Sequence, residues 1–350
     1  MGGRAVRFPS GLQIVAGPDL ARNLSGMPKP ALLVTCAVGF EDLVRGDLRE
    51  QHDLRSTQVG PGDIALEGFS PVATFGPMID RVAVALDPAL GTVAALAAVD
   101  WSAVLDVAGG VRFRVHLPGE DQPRQQLIEA IEAGLGWRNE PADWMVNVDV
   151  ARHRAELGPW SWAARFGSLR RLPATTPGPV AAGLIRLAKA RTGDHLLDPC
   201  AGVGTVPVID GLTRDGSTTA VDVDANSVAI AADNVAALNL SGRVKVLQGD
   251  ATALDLPAAS VDRVVTDLPF GKRVGSNEIN RTLYPAVLRE IDRVLISDGR
   301  CVLLTDDKRV FADSAARARG LKIVAERVIR YNGVTPTAYV LTRSRRTRRG

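Results

Sequence analysis

The residues best suited to chemistry form one short run, Asp267-Leu268-Pro269-Phe270-Gly271-Lys272-Arg273. The carboxylate of Asp267 and a nearby backbone carbonyl, that of Leu268 or Pro269, can accept hydrogen bonds from an exocyclic aromatic amine. Pro269 has no N–H and a fixed φ, which makes the turn rigid. Phe270 offers a ring face on which a base can stack. Lys272 and Arg273 stand where a phosphate could pass. Alone, this pattern equally describes a strand that ends in a proline turn with solvated charges. What precedes it decides between the two.

From Val180 onward, helix and strand patterns alternate, which is the signature of an open α/β sheet. His195–Leu197 reads as a short buried strand that runs into Asp198-Pro199-Cys200-Ala201-Gly202-Val203-Gly204-Thr205 and then an apolar helix, Val206–Leu212. Strand, glycine turn and helix form the context in which backbone approaches a nucleotide-type ligand, because glycine has no Cβ and tolerates positive φ. Thr218–Val221 is the next strand and ends in Asp222 and Asp224, about 20 residues after the glycines, where an acid can hold ribose hydroxyls. A helix follows with Val228, Ala232, Val235 and Leu238 on one face, then a strand, Val244–Leu247, that ends at Gly249-Asp250-Ala251. Asp250 there can reach an adenine amine. The strand Val261–Thr266 delivers Asp267. Each acid taken singly is also a common helix N-cap, but four successive strand ends carrying acids or glycines outline the ligand edge of a parallel sheet. Downstream, Asn277–Ile296 reads as a helix with Ile279, Leu283, Val287, Leu288, Ile291 and Leu295 inward; Arg300–Leu304, Leu321–Ile329 and Thr337–Leu341 read as strands. Tyr284 and Tyr331 read as packing residues.

The first half has a different character. Ala31–Cys36, Asp63–Glu67 and Arg81–Leu86 read as strands, and Gly39–Glu50 as a helix with Phe40, Leu43, Val44 and Leu48 on one face. Val111, Phe113, Val115 and Leu117 alternate with polar residues, the mark of a half-buried strand. A helix follows with Leu127, Ile128, Ile131 and Leu135 inward, then an alternating strand, Val146–Val150. His52, His116 and His153 are isolated and carry no metal signature. Residues 166–179, rich in proline and arginine, read as a stiff linker.

Composition sets outer bounds. The 350 residues suffice for about two domains. A net charge of +3, from 42 basic and 39 acidic residues, makes no case for a nucleic-acid partner, although the tail Arg343–Gly350 is mostly arginine and is read either as solubilising or as RNA-contacting. Cys36, Cys200 and Cys301 fit no metal or disulfide spacing, which suits a reducing cytoplasm. The start has no signal-peptide pattern, and the apolar stretch Val82–Leu105 is broken by Asp87, Pro88 and Asp100, so no membrane span is expected.

These motifs carry a resemblance. Residues 180–343 resemble a class I S-adenosylmethionine-dependent methyltransferase: DPCAGVGT its glycine motif, VDVD its ribose acid, GDA its adenine contact and DLPF its catalytic motif. The form DLPFGKR is similar to that of THUMP-domain RNA methyltransferases, the tRNA guanine-N2 methyltransferase group, and Lys29–Leu48, VRFRVHL and WMVNVDV resemble that family's ferredoxin-like and THUMP regions. The resemblance implies an α/β fold. A C-terminal Rossmann-like domain with a seven-stranded, mostly parallel sheet would follow an N-terminal α+β ferredoxin-like/THUMP domain. The implied boundaries are 1–29 for an unstructured start, 30–165 for the RNA-binding region, 166–179 for the linker, 180–343 for the methyltransferase and 344–350 for the tail. It implies S-adenosylmethionine on Asp198, Gly202, Gly204, Thr205, Asp222 (Asp224 as second choice), Asp250 and Ala251. It also implies catalysis by Asp267, Pro269 and Phe270, RNA backbone at Lys272 and Arg273, and no metal. The expected reaction is methylation of the exocyclic N2 of a guanosine in tRNA by a cytoplasmic enzyme, with the oligomeric state open and a monomer favoured. Alternatives are a 23S rRNA guanine-N2 methyltransferase, another nucleic-acid amino-methyltransferase, a dinucleotide oxidoreductase, and an RNA-binding module without activity.

Overall fold

The apolar stretches collapse onto two sheets. A computed structural model describes residues 31–68, 75–119, 121–158, 162, 169–269 and 277–344, and the chain divides into two units. One comprises Met1–Thr35, Leu48–Phe75 and Arg81–Ser161; the other comprises Cys36–Asp47, Gly76–Asp80 and Trp162–Gly350.

The first unit holds a mixed eight-stranded sheet in the order β2-β3-β1-β4-β8-β7-β5-β6. Its strands are β1 (Leu32–Thr35), β2 (Ser56–Gly60), β3 (Asp63–Leu66), β4 (Arg81–Ala85), β5 (Arg112–His116), β6 (Arg138–Asn139), β7 (Val146–Asp149) and β8 (Arg154–Leu157). In chain order the first helices are α1 (Glu41–His52), α2 (Thr92–Ala97) and α3 (Asp121–Leu135); α3 buries Leu127, Ile128 and Ile131, the stripe its periodicity predicts. Phe113 is fully buried on β5, while the Arg114 guanidinium lies 4.2 Å from the Trp144 ring centroid. Strand β2 carries no apolar alternation, and in β8 Ala155 and Leu157 alternate with the charged Arg154 and Glu156. All four residues of β8 are nevertheless buried. Its charges are neutralised at a distance in sequence, Arg154 by Asp63 at 3.1 Å and Glu156 by Arg81 at 2.8 Å.

The second unit is built on a seven-stranded sheet in the order β11-β10-β9-β12-β13-β15-β14. Strands β9 (His195–Asp198), β10 (Ser217–Asp222), β11 (Val244–Gln248), β12 (Val261–Asp267) and β13 (Leu295–Thr305) run parallel. β14 (Leu321–Val328) and β15 (Thr337–Arg343) close the edge antiparallel. The parallel strands therefore bring their C-terminal residues Asp198, Asp222, Gln248 and Asp267 to one edge. Because β9 and β12 are neighbours while the chain passes through β10 and β11 between them, that edge has a topological switch point, where α/β sheets bind ligands.

Helices follow the strands: α4 (Gly178–Ala188), α5 (Thr205–Thr213), α6 (Ala225–Ala237), α7 (Asn277–Val294) and α8 (Lys308–Arg317). Tyr284, Val287, Leu288 and Ile291 of α7 and Phe311 of α8 share one core with Val264, Leu303 and Leu341 of the sheet. Each such buried side chain is worth roughly 1.5–3 kcal/mol over its exposed state. Two inward faces differ from the pattern. Ile279 is 54% exposed, one turn outside the buried stripe, and Leu295 begins β13 instead of ending α7. In α6 the buried stripe is Ser227, Ile230, Ala231, Asn234 and Val235, not Val228 and Ala232. Two polar residues belong to the packed face because their groups are bonded there, and counting apolar residues alone misplaces the stripe. No helix among the described residues is long and apolar enough to cross a membrane.

A buried ion pair fixes α5 beneath the sheet edge. Arg214 holds Asp210 bidentately at 2.9 and 2.6 Å, and its remaining donors reach the carbonyls of Arg191 and Asp194 just before β9. Thr218 adds a third donor to Asp210 at 2.6 Å. Removing one partner strands a charge in a low-dielectric site. We expect Asp210→Ala to lose about 3–5 kcal/mol of stability in denaturant unfolding, and the pair Asp210→Leu with Arg214→Met to recover much of it.

Candidate active site

Glycine geometry shapes the first strand end. Gly202 (φ +52°) and Gly204 (φ +84°) both adopt left-handed backbone, and Gly204 is the residue that opens α5. A Cβ on Gly204 would stand 3.1 Å from that of Ala231, whereas one on Gly202 would meet nothing within 4 Å. The turn is thus packed below and open above. The Gly202 N–H donates to Asp222 Oδ2 at 2.7 Å, and the Ala201 N–H donates to the Val221 carbonyl at 2.9 Å. The glycine turn and the acid of the next strand, which sequence treats as separate features, are one hydrogen-bonded unit.

The acids divide by environment. Asp198, 2% exposed, accepts from the Cys200 N–H at 3.2 Å. Burial, with the nearby negative charges of Asp222 and Asp267, raises its pKa to about 7. Asp222 accepts the Asp224 N–H on Oδ1 at 3.0 Å. Asp224 itself is the N-cap of α6, its Oδ2 taking the Ser227 N–H at 2.8 Å; hydrogen bonding by the Ser227 side chain, with that N–H, holds its carboxyl below the ordinary range. Asp250, exposed, uses Oδ1 to take both the N–H and the hydroxyl of Thr252 at 2.7 Å, which also lowers its pKa. Ala251 is buried in the core beside it. Val223, between the two acids of β10's end, is 71% exposed, an uncovered apolar side chain at the ligand edge.

Asp267 is the most unusual. Its Oδ2 accepts the Thr176 hydroxyl at 2.6 Å, while its Oδ1 is buried and has no hydrogen-bond partner among the described residues. Burial raises its pKa to about 7, against the lowering effect of the Thr176 bond. A buried oxygen without a donor is costly and marks where an external N–H group is wanted. The following backbone is tied down: the Pro269 carbonyl accepts from Tyr284 Oη at 2.6 Å and Asn280 Nδ2 at 3.1 Å. Tyr284 also bonds Thr305 Oγ1 at 2.8 Å, and Asn280 bonds Asp307 Oδ2 at 3.1 Å. With both lone pairs of the Pro269 carbonyl engaged, Leu268 is the better-placed of the two candidate carbonyls. Phe270, Lys272 and Arg273 lie outside the described residues, as do the N-terminal 29 residues and most of the arginine tail.

Thr176, Asn280, Tyr284 and Val223 are absent from the sequence-derived site. Tyr284 is a packing residue, as expected, and also holds the turn. Asn280 and Tyr284 had a signal: a polar residue and a phenol four apart on the apolar stripe of α7. Thr176, in a proline-rich stretch without periodicity, had none.

Residues 170–336 match the RMKL-like methyltransferase-domain family. The chain is 36% identical over 187 residues to human tRNA (guanine(6)-N(2))-methyltransferase THUMP3, covering 49% of this chain and 37% of the human protein. It therefore spans little more than a third of that relative's length. It is 31% identical over 256 residues to the Thermus thermophilus tRNA (guanine(6)-N2)-methyltransferase, covering 68% of this chain and 73% of that protein. The fold matches the crystal structure of TrmN from Thermus thermophilus with a TM-score of 0.71 at 24% identity, covering 90% of this chain and 99% of that one.

The raised carboxyls make stability depend on pH. A native Asp198 with a pKa of about 7, against 3.8 in the unfolded chain, binds its proton more tightly when folded. Stability therefore falls as pH rises between those values. We expect the unliganded protein to melt lower at pH 8 than at pH 5.5, and Asp198→Asn to shrink that difference; an unchanged difference would refute the assignment.

Proposed function

This chain belongs to the family of methyltransferases that includes the Thermus thermophilus tRNA (guanine(6)-N2)-methyltransferase, and from that premise we propose that it methylates the exocyclic N2 of a guanosine in tRNA. The observation that carries the proposal is the buried Oδ1 of Asp267, without a hydrogen-bond partner among the described residues, at the end of β12, beside the open glycine turn. The cofactor is S-adenosylmethionine, which when bound supplies an electron-poor methyl group.

The residues present fit that cofactor. It is a cation at sulfur, and Asp198, Asp222 and Asp267 interact as like charges at one sheet edge, which favours a cation there. The space above Gly202 admits ligand without a Cβ in the way. In this reading the Gly202–Gly204 turn and Thr205 cradle it, Asp222 holds the ribose with Asp224 as second choice, Asp250 takes the adenine amine, and Ala251 and Val223 line the adenine. Asp198 supports the methionine end.

The chain's own groups prepare the nucleophile. A guanine must leave its stack to present its amine, and Phe270 would stack on it. Oδ1 of Asp267 and the Leu268 carbonyl would accept the two N–H bonds of N2. The amine lone pair, otherwise delocalised into the ring, is thereby directed at the methyl carbon. Asp267 Oδ1 would take the proton that N2 loses as the N–C bond forms and the sulfur–methyl bond breaks, the sulfur leaving as a neutral thioether. The gain is positioning together with electrostatics. Residues 30–165 are assigned as the ferredoxin-like and THUMP RNA-binding region, 166–179 as linker and 180–343 as the methyltransferase. Lys272 and Arg273 would meet the RNA backbone, so binding should weaken with salt.

The deciding experiment is methyl transfer from labelled S-adenosylmethionine to unmodified tRNA, with nucleosides identified by mass spectrometry. We expect N2-methylguanosine, reduced at least about 100-fold by Asp267→Ala. Transfer only to ribosomal or small nuclear RNA would keep the chemistry and overturn the substrate. Near-wild-type turnover by Asp267→Ala would overturn the catalytic assignment.

Cofactor binding should also be linked to protons. A bound cation favours the ionised forms of Asp198 and Asp267, both near a pKa of about 7 in the unliganded protein. Calorimetric titration in buffers of different ionisation heat should therefore show proton release near neutrality that fades at higher pH. Proton uptake would contradict the site.

A further inference from the structure

The segment Leu169–Pro177 carries a group that reaches the reactive end of β12. It is anchored at one end by Asn234 of α6, which is 3% exposed. Asn234 accepts the Arg170 N–H at 2.8 Å and donates to the Arg170 carbonyl at 3.0 Å and to the Val203 carbonyl of the glycine turn at 2.9 Å. Next, the Thr175 hydroxyl closes a turn, accepting the Leu172 N–H at 3.0 Å and donating to the Leu172 carbonyl at 2.6 Å. The other end is α4, whose first bonds run from Val180 and Ala181 to the Pro177 carbonyl. Pinned on both sides, Thr176 has its hydroxyl aimed at Asp267 Oδ2, 2.6 Å away.

A carboxylate can rotate about its last torsion, which is soft, and so exchange its two oxygens. One strong donor on Oδ2 removes that freedom. It also fixes which oxygen remains for another donor, and Oδ1 is the one without a partner among the described residues. We propose that Thr176 is a positioning residue for Asp267: its hydroxyl sets the carboxylate plane and leaves Oδ1 as the acceptor of the substrate amine. The same segment is bonded to the glycine turn through Asn234, so one strap registers the cofactor turn against the reactive carboxylate. The proposal rests on the reading of Asp267 as the amine acceptor.

Thr176 also opposes protonation. Among the described residues, the titratable groups around Asp267 are Asp198 from β9, with Asp222 behind it, Cys200 from the glycine turn, Tyr284 from α7 and Tyr331 ahead of β15. All are acidic or neutral, and none stabilises a carboxylate as a cation would. Among the described residues, the Thr176 hydroxyl is the group that favours the ionised form.

The test compares Thr176→Val, which removes the hydroxyl at nearly equal volume, with Thr176→Ser, which keeps it. For Thr176→Val we expect kcat for RNA methylation to fall about 10–100-fold, the scale of a lost hydrogen bond to a charged group, with KM and S-adenosylmethionine affinity within about twofold. The acidic limb of its pH–rate profile should move to higher pH, and Thr176→Ser should restore both. An unchanged limb and kcat, or a loss of melting temperature and cofactor affinity with no movement of the limb, would overturn the proposal. Carbon-13 NMR titration of the Asp267 carboxyl, assigned with Asp267→Asn, gives a readout independent of the acceptor. If the wild-type protein methylates no RNA, the functional reading fails, and an upward shift of that titration in Thr176→Val still decides for or against Thr176.

Discussion

Three carboxylates share the low-dielectric end of one sheet, and much of the second unit answers to that constraint. Asp198, Asp222 and Asp267 arrive together because β9, β10 and β12 are parallel neighbours. Burial raises the proton affinity of Asp198 and Asp267, and at Asp198 the neighbouring charges of Asp222 and Asp267 add to it. The protein offsets the cost with donors: the Cys200 N–H on Asp198, the Gly202 and Asp224 N–H groups on Asp222, the Thr176 hydroxyl on Asp267. Among the described residues, Asp267 Oδ1 is left without a donor. On the proposed reading of the site, this edge suits a cationic ligand and an N–H donor.

Helix α7 serves the core and the site with one stripe. Val287, Leu288 and Ile291 bury against the sheet, and the same face, one turn earlier, presents Asn280 and Tyr284 to the Pro269 carbonyl. A turn after a strand would otherwise move with its loop. Here it is fastened to a helix whose inner face is packed into the core, so the direction of the Leu268 carbonyl inherits the rigidity of that core.

Local signals made much of this legible. Strand β12, the glycine turn, the acids after β9, β10 and β11, and the inward face of α3 follow from apolar periodicity and from what glycine and proline do to backbone. The failures have a common cause. Strand β8, with Arg154 and Glu156 buried, and α6, with Asn234 and Ser227 on its packed face, hide polar residues whose partners are distant in sequence. The capping of α6 by Asp224 was foreseeable as a type, but which of Asp222 and Asp224 would cap depended on where the helix began.

By itself, then, the sequence determined the parallel architecture of the second unit and the order in which acids and glycines reach its edge, because strand period, helix period and turn chemistry act over a few residues. Only the tertiary structure decided which oxygen of Asp267 stays without a partner among the described residues, that the Pro269 carbonyl is already taken, and that a threonine 91 residues before Asp267 holds it. Those outcomes depend on hydrogen-bond geometry to within tenths of an ångström between groups that only the fold brings together, and no local pattern encodes that.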